Sequence, residues 1–345
     1  MTFRDYYERK GWRPPFAYLI ACFLLSSAIA TPVSAFDPTM LAKRLEHLSA
    51  SLAGKTGVAA ALVGSGPMVL LNGDDMFPMA STYKVAIAVA VLHDVDEGKL
   101  SLDQMLSLQP EDMIAGSGDI AKNFVHAGVQ LSLANLIEAM ITESDNSATD
   151  KCMELVSGPK AVTARLRELG IEGQRIDHDT ADLLSEFYDL PQRATLSYAN
   201  QILSEDPGFV ARIPLKNLAF EEDLRNQSTP RAMLDLLLQI HNGTALSTAS
   251  TASTEFLIGV LSRTRTAKTR LPGLLPHGTK VAHKSGTIGG IANDVGYITL
   301  PDARTLAVAV FTKSSDTSSA DRDRAVAEVA RSLYEAYANL PTSVP

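Results

Sequence analysis

Apolar residues near the start of the chain follow a helical spacing and then a strand pattern. The helical stripe is formed by Leu41, Leu45, Leu48 and Leu52. Two short apolar runs follow, at residues 56–65 and 67–73, and each has a length typical of a strand. We therefore expect one helix followed by two strands.

The end of the chain contains the same kinds of element in reverse order. Strand-like runs occupy residues 279–287, 293–300 and 304–313, and Pro301-Asp302 marks a turn between the last two. A final helical stripe is formed by Val326, Val329, Leu333 and Tyr337. Strands from both ends of the chain most simply form one antiparallel sheet with the terminal helices packed on it.

The long middle of the chain is predicted to be helical. Residues 85–92 are apolar at every position, which is typical of a helix buried on all sides. Another stripe is formed by Leu133, Leu136, Ile137, Met140 and Ile141. Thr229 and Pro230 provide the cap and the first residue of a later helix.

These elements predict an α+β fold with two domains. Residues 36–78 and 278–345 are expected to form an α/β sandwich domain, and residues 79–277 an inserted all-α domain. Clefts between such domains often hold binding sites.

The first 35 residues are predicted to be a signal peptide. Their basic residues, Arg4, Arg9, Lys10 and Arg13, precede an apolar run at residues 17–30. Small residues at 33–35 then provide a cleavage site. We expect the mature chain to start near Phe36 and to be periplasmic or secreted.

Two other interpretations of this segment remain open. A retained anchor would need about 20 apolar residues, but Ser26, Ser27 and Pro32 interrupt the run. A lipidated Cys22 would follow its apolar run, whereas here most of the run comes after Cys22. A stable membrane anchor is therefore not expected.

The composition is that of a globular protein. The chain has 345 residues, of which 46% are hydrophobic and 20% charged, and this excludes a disordered or collagen-like chain. Acidic residues outnumber basic ones by 39 to 31, and no Lys/Arg cluster marks a phosphate-binding surface, so we expect no nucleic-acid partner. Cleavage would leave Cys152 as the single cysteine, which excludes an internal disulfide.

A candidate nucleophile stands directly before the buried helix. In Ser81-Thr82-Tyr83-Lys84, the lysine returns to the same helix face as the serine, as a base beside a nucleophile requires. The spacing alone has little specificity, because residues 157–160 repeat it at what we interpret as an ordinary helix start.

Two further motifs follow in order. Ser144-Asp145-Asn146 comes after the Leu133 stripe, and residues 284–287 (Lys-Ser-Gly-Thr) end a strand. Alone, the first is equally well a helix cap and the second an exposed strand end. All three together resemble the active-site set of the penicillin-recognising serine hydrolases, and most closely that of the class A β-lactamase family.

The resemblance implies a catalytic role for four side chains. Ser81 would be acylated, and Lys84 would accept its proton. Ser144 would pass the proton toward the leaving nitrogen, beside Lys284. Burial and the charge of Lys284 are both expected to lower the pKa of Lys84.

The resemblance also implies how substrate is held. Asn146 would bind the substrate amide, and Lys284, Ser285 and Thr287 its carboxylate. The backbone N–H groups of Ser81 and Thr287 would form the oxyanion hole.

One residue of the family pattern is missing. In class A β-lactamases, a loop glutamate shortly after an arginine activates the water that releases the acyl group. Counting without a gap puts Thr180 at the position of the glutamate and His178 at that of the arginine. Asn226 replaces the aspartate that pairs with that arginine, and the loop at 171–229 is enlarged by roughly thirty residues.

Several acids could replace the missing glutamate. Asp179 and Asp182 are nearest in sequence, and Glu186, Glu221 and Glu222 lie further along. The alternative for each is a solvated loop acid.

The motifs therefore predict an exported serine hydrolase of the class A β-lactamase type, which opens a β-lactam amide through an acyl-Ser81 intermediate. We expect no metal or cofactor, a small β-lactam or a cell-wall peptide as substrate, and a monomer. The missing glutamate leaves two alternatives, a D-alanyl-D-alanine carboxypeptidase and a penicillin-binding sensor that stays acylated.

Overall fold

A five-stranded antiparallel sheet lies between two layers of helices. The computed structural model of the protein describes residues 36–64, 66–124, 126–246 and 251–341. The strands, numbered in chain order, are β1 (Lys55–Leu62), β2 (Val69–Leu71), β3 (Phe77–Pro78), β4 (Met105–Leu108), β5 (Val129–Ser132), β6 (Gln227–Ser228), β7 (Val281–Ile288), β8 (Ile291–Thr299) and β9 (Thr305–Lys313). The large sheet has the order β2-β1-β9-β8-β7, so strands from both ends of the chain pair through β1 and β9, as predicted.

Helices account for most of the remaining residues that the structure describes. In chain order they are α1 (Pro38–Ser49), α2 (Lys84–Asp96), α3 (Ile120–Asn123), α4 (Leu133–Thr142), α5 (Asn146–Leu155), α6 (Pro159–Glu168), α7 (Thr180–Phe187), α8 (Leu196–Glu205), α9 (Phe209–Arg212), α10 (Leu218–Glu222), α11 (Pro230–His241), α12 (Thr251–Ser262) and α13 (Ser319–Ala338). Short 3-10 helices occupy Ala50–Leu52, Ala80–Tyr83 and Pro110–Asp112. The α+β fold class predicted from the sequence is confirmed.

Both faces of the sheet are covered. The terminal helices α1 and α13 pack together on one face, where the Tyr337 hydroxyl donates to the carbonyl of Ala60 on β1 at 2.9 Å. Helix α11 packs against β1 and β9 on the other face, where the Tyr297 hydroxyl donates to the Leu237 carbonyl at 2.7 Å. Burial on both faces explains why these strands are nearly continuous apolar runs.

The helical region between β3 and β7 surrounds α2. Every residue of α2 from Lys84 to Leu92 is buried, which matches the absence of polar relief in that run apart from the lysine itself. The described residues from Asp37 onward group as one compact unit, and the two-domain division at 79–277 stays a prediction.

The segment at 171–229 differs from the enlarged loop that the sequence suggests, because it contains helices α7 to α10. These helices have four to ten residues each, too short for a clear apolar period. Their starts nonetheless carry caps: the side chains of Asp179, Thr195 and Asn217 each accept a backbone N–H of the first turn.

The predicted signal peptide, residues 1–35, lies outside the described residues. Within the residues that the structure describes, no helix has the length and apolar character needed to cross a membrane. Cys152 is fully buried, as predicted, and burial raises the pKa of its thiol to about 12, so it is unreactive at neutral pH.

Candidate active site

Ser81 lies in the 3-10 turn that leads into α2. Asn293, on β8, fixes the chain just before this turn by donating to the carbonyls of Pro78 and Met79 at 2.8 and 3.0 Å. Its own carbonyl oxygen accepts the N–H of Thr312 at 2.9 Å, so the turn that carries Ser81 is held by two strands of the sheet. Asn293 was not predicted from the sequence, because its role depends on a contact between distant segments.

The turn that carries Ser81 packs directly on β7. At Gly286 a Cβ atom would lie 3.0 Å from the Ser81 nitrogen and 2.7 Å from the Met79 carbonyl oxygen, so only glycine allows this approach. The next residue, Thr287, lines the same cavity as Ser81. The predicted oxyanion-hole pair is thus brought to one site.

Lys84 is completely buried and fully hydrogen-bonded. Its Nζ donates to the Ser144 carbonyl at 2.7 Å and to Asn146 Oδ1 at 2.8 Å, and it lies 3.3 Å from Ser144 Oγ. Burial lowers the pKa of Lys84 to about 7, against the charges of Asp145 and Asp150. Because two of its partners can only accept, a neutral amine uses both hydrogens on them and keeps its lone pair free.

Ser144 connects the two lysines. It has a positive φ of 57°, and Asp145 after it caps α5 by accepting the N–H of Ala148 at 2.9 Å. Lys284 Nζ lies 3.0 Å from Ser144 Oγ and donates to the Ser285 carbonyl at 2.7 Å.

Repulsion between the two lysines lowers the pKa of Lys284. Burial and then the charge of Lys84 lower the pKa of Lys284 well below its ordinary value, opposed by Asp294. The pKa of Lys84 is lowered, as expected. Burial lowers it, and the charge of Lys284 is not among the causes.

The Ser285 and Thr287 hydroxyls are held by residues from other elements. Ser285 Oγ lies 2.7 Å from Thr266 Oγ1, and Arg270 Nη2 donates to Thr287 Oγ1 at 2.7 Å. Arg270 is buried and is anchored by Asp323 at 2.7 Å. The sequence analysis missed Arg270, since several arginines lie in the same stretch and no spacing distinguishes this one.

A cavity of about 400 Å³ joins these elements. Its polar lining includes Ser81, Tyr83, Ser117, Asn146, Thr180 and Thr287. Its apolar wall comes largely from α7 and the residues after it: Leu183, Leu184, Tyr188, Ile213 and Pro214. Among the described residues that line the cavity there is no carboxylate.

Thr180 is the residue that the sequence count assigns to the position of the missing glutamate. It is buried at the start of α7 and lines the cavity, with Oγ1 2.7 Å from the Tyr83 hydroxyl. Asp179 and Asp182, the two acids nearest in sequence, instead bind Arg193 at 2.8 and 2.7 Å and do not line the cavity.

His178 and Asn226 do face each other, as the count implies. Asn226 Nδ2 lies 2.7 Å from His178 Nδ1, and Asn226 Oδ1 accepts the N–H groups of Asp177 and His178 at 2.9 and 3.0 Å. A hydrogen-bonded pair therefore stands where the family pattern has a salt bridge.

Asp150 supports Thr180 from behind the cavity. Its carboxylate accepts the N–H of Thr180 at 2.7 Å and that of Ala181 at 3.1 Å. Burial and then the charge of Asp179 raise the pKa of Asp150 to about 7, while hydrogen bonds from Thr180 and Ala181 oppose the rise. Asp150 was not predicted from the sequence, because its partners lie 30 and 31 residues further along the chain.

Comparison with known proteins agrees with this geometry. The profile of the beta-lactamase enzyme family matches residues 40–337. The extended-spectrum beta-lactamase PER-1 of Pseudomonas aeruginosa is 28% identical over 326 residues, covering 92% of this chain and 94% of that protein. A beta-lactamase of Bacteroides uniformis is 27% identical, covering 93% and 99%.

The chain is also similar to solved structures of beta-lactamases. An ancestral (GNCA) class A beta-lactamase superposes with a TM-score of 0.71 and 32% identity, covering 86% of this chain and 99% of that one. A beta-lactamase from Chitinophaga pinensis also has a TM-score of 0.71, with 29% identity, 86% and 99% covered. With the family profile spanning most of the chain and the predicted motifs meeting at one cavity, the chain belongs to the class A branch of the beta-lactamase enzyme family.

Proposed function

We propose that the protein hydrolyses β-lactams through an ester at Ser81, and that release of this ester is the slow step. The observation that carries the proposal is the hydrogen-bonded chain of Lys84, Ser144 and Lys284 beside the Ser81 cavity. It offers a base for the nucleophile and a route for the proton, while the described cavity lining has no carboxylate to activate water.

Acylation follows from the position of Lys84. Its neutral amine takes the Ser81 hydroxyl proton as Ser81 Oγ attacks the lactam carbonyl, and the N–H groups of Ser81 and Thr287 stabilise the developing oxyanion. The proton then passes through Ser144 Oγ to the lactam nitrogen as the C–N bond breaks. The transfer from Lys84 to Ser144 runs along a contact of 3.3 Å between Lys84 Nζ and Ser144 Oγ.

Substrate binding uses both ends of the cavity. Asn146, whose Nδ2 donates to the Ala115 carbonyl at 2.7 Å and whose Oδ1 accepts from Lys84, is held rigidly to meet the substrate amide. Lys284, Ser285 and Thr287 attract the substrate carboxylate. Arg270 acts on it through Thr287.

The setting of the enzyme is part of the proposal. Removal of residues 1–35 would deliver a mature chain that starts near Phe36 to the periplasm or the exterior, where it acts as a monomer on a small β-lactam. No metal or cofactor takes part in these steps. Tyr188, Ile213 and Pro214 form part of the apolar wall of the cavity.

Mixing the purified protein with a chromogenic cephalosporin tests the proposal. Because the acyl-enzyme is expected to accumulate, product should appear in a burst followed by slow continuous turnover, with a mass adduct present throughout. Both signals are followed in one time course. A stable adduct without turnover would indicate the peptidase or sensor alternatives instead. Turnover without an adduct would refute the slow release of the ester, and the absence of both would refute acylation of Ser81.

Replacement of Thr180 by glutamate is expected to shorten the lifetime of the acyl-enzyme about 10-fold or more, because a carboxylate would then take the proton of water directly. Decay of the mass adduct after a brief exposure to cephalosporin gives this lifetime. Thr180→Gln is the matched control, since it has the same size without a base. Equal lifetimes in the two variants would mean that position 180 does not face the water.

A further inference from the structure

Arg322 is a buried cation in the wall of the catalytic cavity. It lies near the start of helix α13, is 6% exposed, and lines the cavity together with Gly289. Its guanidinium is at the edge of that cavity, because Nη2 donates to the Gly289 carbonyl at 3.3 Å. Nη1 donates to the Thr317 carbonyl at 2.6 Å. The cavity therefore has a positive group that the steps of acylation do not use.

The guanidinium has more donors than partners. An arginine side chain has five N–H donors, and the described residues accept two of them, through the carbonyls of Thr317 and Gly289. Nε is buried, and no described residue accepts its hydrogen. Because both partners are neutral carbonyls, neither one balances the charge of Arg322. A buried charge without a paired ion is costly, so this arrangement favours a ligand that supplies the anion.

No side chain of the same segment neutralises Arg322. The three acidic residues nearest to it in sequence all have other partners: Asp316 binds Lys216, Asp321 accepts the Ser318 hydroxyl, and Asp323 binds Arg270. Burial and then the charge of Arg270 lower the pKa of Arg322 from its ordinary value, while the charge of Asp323 opposes this from a distance. An arginine remains charged at neutral pH all the same. Among the described residues that line the cavity, no carboxylate balances that charge.

Other groups at this end of the cavity also favour an anion. Ser319 is the first residue of the 20-residue helix α13 and lines the cavity, so the positive end of the helix dipole lies beside Arg322. A second guanidinium, that of Arg270, donates to Thr287 Oγ1 at 2.7 Å. The apolar part of the lining, which includes Tyr188, suits an aryl group carried by the same ligand.

We propose that Arg322 binds an anionic group on the side chain of the β-lactam, in addition to the ring carboxylate. The proposed function assigns the ring carboxylate to Lys284, Ser285 and Thr287. Thr287 and Gly289 are at most about 7 Å apart along the chain, so one substrate molecule can reach both positions. A carboxylate or sulfonate accepts two hydrogen bonds from the planar fork of a guanidinium. This inference rests on the proposed function and defines its substrate class as β-lactams with two negative charges.

Two penicillins that differ by one carboxylate test this subsite. Benzylpenicillin has only the ring carboxylate, whereas α-carboxybenzylpenicillin carries a second one on the same side chain. The rate constant for ring opening, measured with the protein in excess over the penicillin, reports acylation whether or not the ester is released slowly. Arg322→Gln keeps a donor but removes the charge. It should slow acylation by α-carboxybenzylpenicillin about 10-fold more than acylation by benzylpenicillin, the usual scale for a charged hydrogen bond.

Arg324→Gln is the matched control for the loss of one positive charge. Arg324 lies on the same helix, is exposed, and binds Glu328 at 3.0 Å. Its replacement should leave the ratio of the two acylation rates unchanged. Thermal unfolding verifies that each variant is folded, and Arg322→Met provides the same comparison if Arg322→Gln is not.

The outcomes separate the subsite from a structural role and from the proposed function. Equal rate changes for both penicillins in the Arg322 variant would indicate a structural role and overturn the subsite. A selective loss in Arg324→Gln as well would assign the effect to net charge, with the same consequence. Acylation of the unmodified protein by benzylpenicillin alone would also contradict the subsite. Absence of ring opening with either compound would instead refute the proposed function.

Discussion

Replacement of Ser81 by alanine is expected to abolish covalent labelling of the protein by a penicillin. Ser81 is a half-buried residue in the cavity lining, and the turn that carries it packs closely against Gly286 of β7. Removal of its oxygen leaves no atom to form the ester, while the turn itself is held by Asn293 and is not disturbed. Intact mass after incubation with a penicillin measures the label.

The chain contains its own matched control for this experiment. Ser157 begins a second copy of the same four-residue spacing, but there Gly158 and Pro159 start the ordinary helix α6. Ser157→Ala should leave labelling unchanged. An adduct that persists in Ser81→Ala would assign the nucleophile to another residue and refute the motif interpretation.

The sequence predicted those parts of the fold that depend on long apolar patterns. The buried run of α2, the stripe of α4 and the strands at both chain ends are clear because each buries many residues in a regular order. The short pairs β3 with β6 and β4 with β5 were not predicted, because two to four residues carry too little pattern. The helices α7 to α10 were not predicted either, because they are also short.

In the candidate site, residues of local motifs were predicted and residues that act through long-range contacts were not. Ser81, Lys84, Ser144 and Lys284 belong to local motifs, and the structure brings the three segments that carry them together. Contacts between distant segments have no local signature. The contact of Asp150 with Thr180 and that of Arg270 with Thr287 could therefore not be predicted from the sequence alone.

The assignment of Thr180 to the position of the missing glutamate is supported by a second contact. The same count pairs His178 with Asn226, and Asn226 Nδ2 lies 2.7 Å from His178 Nδ1. The sequence could not decide which acid lies near Thr180, since helix α7 directs Asp179 and Asp182 toward Arg193. Direction, rather than distance along the chain, separates these acids from the cavity.

Replacement of Lys84 by methionine is expected to slow acylation by about 10² or more, the usual effect of losing a general base. Methionine fits the buried space of the lysine stem, so the loss should fall on the rate rather than on folding. The rate at which the mass adduct appears measures the effect, and thermal unfolding checks the fold. Lys160→Met, in the second copy of the motif, is the matched control and should acylate normally.

The pH dependence of acylation gives the same assignment an independent check. Because burial lowers the pKa of Lys84 to about 7, the amine is protonated below that pH and cannot accept the Ser81 proton. The acylation rate should therefore rise with pH through about 7 and level off above it, whereas the residual rate of Lys84→Met should lack this rise. If the variant kept both the rate and the rise, the proton of Ser81 would be going to a different base, and the lone pair left free by Ser144 and Asn146 would have no part in the reaction.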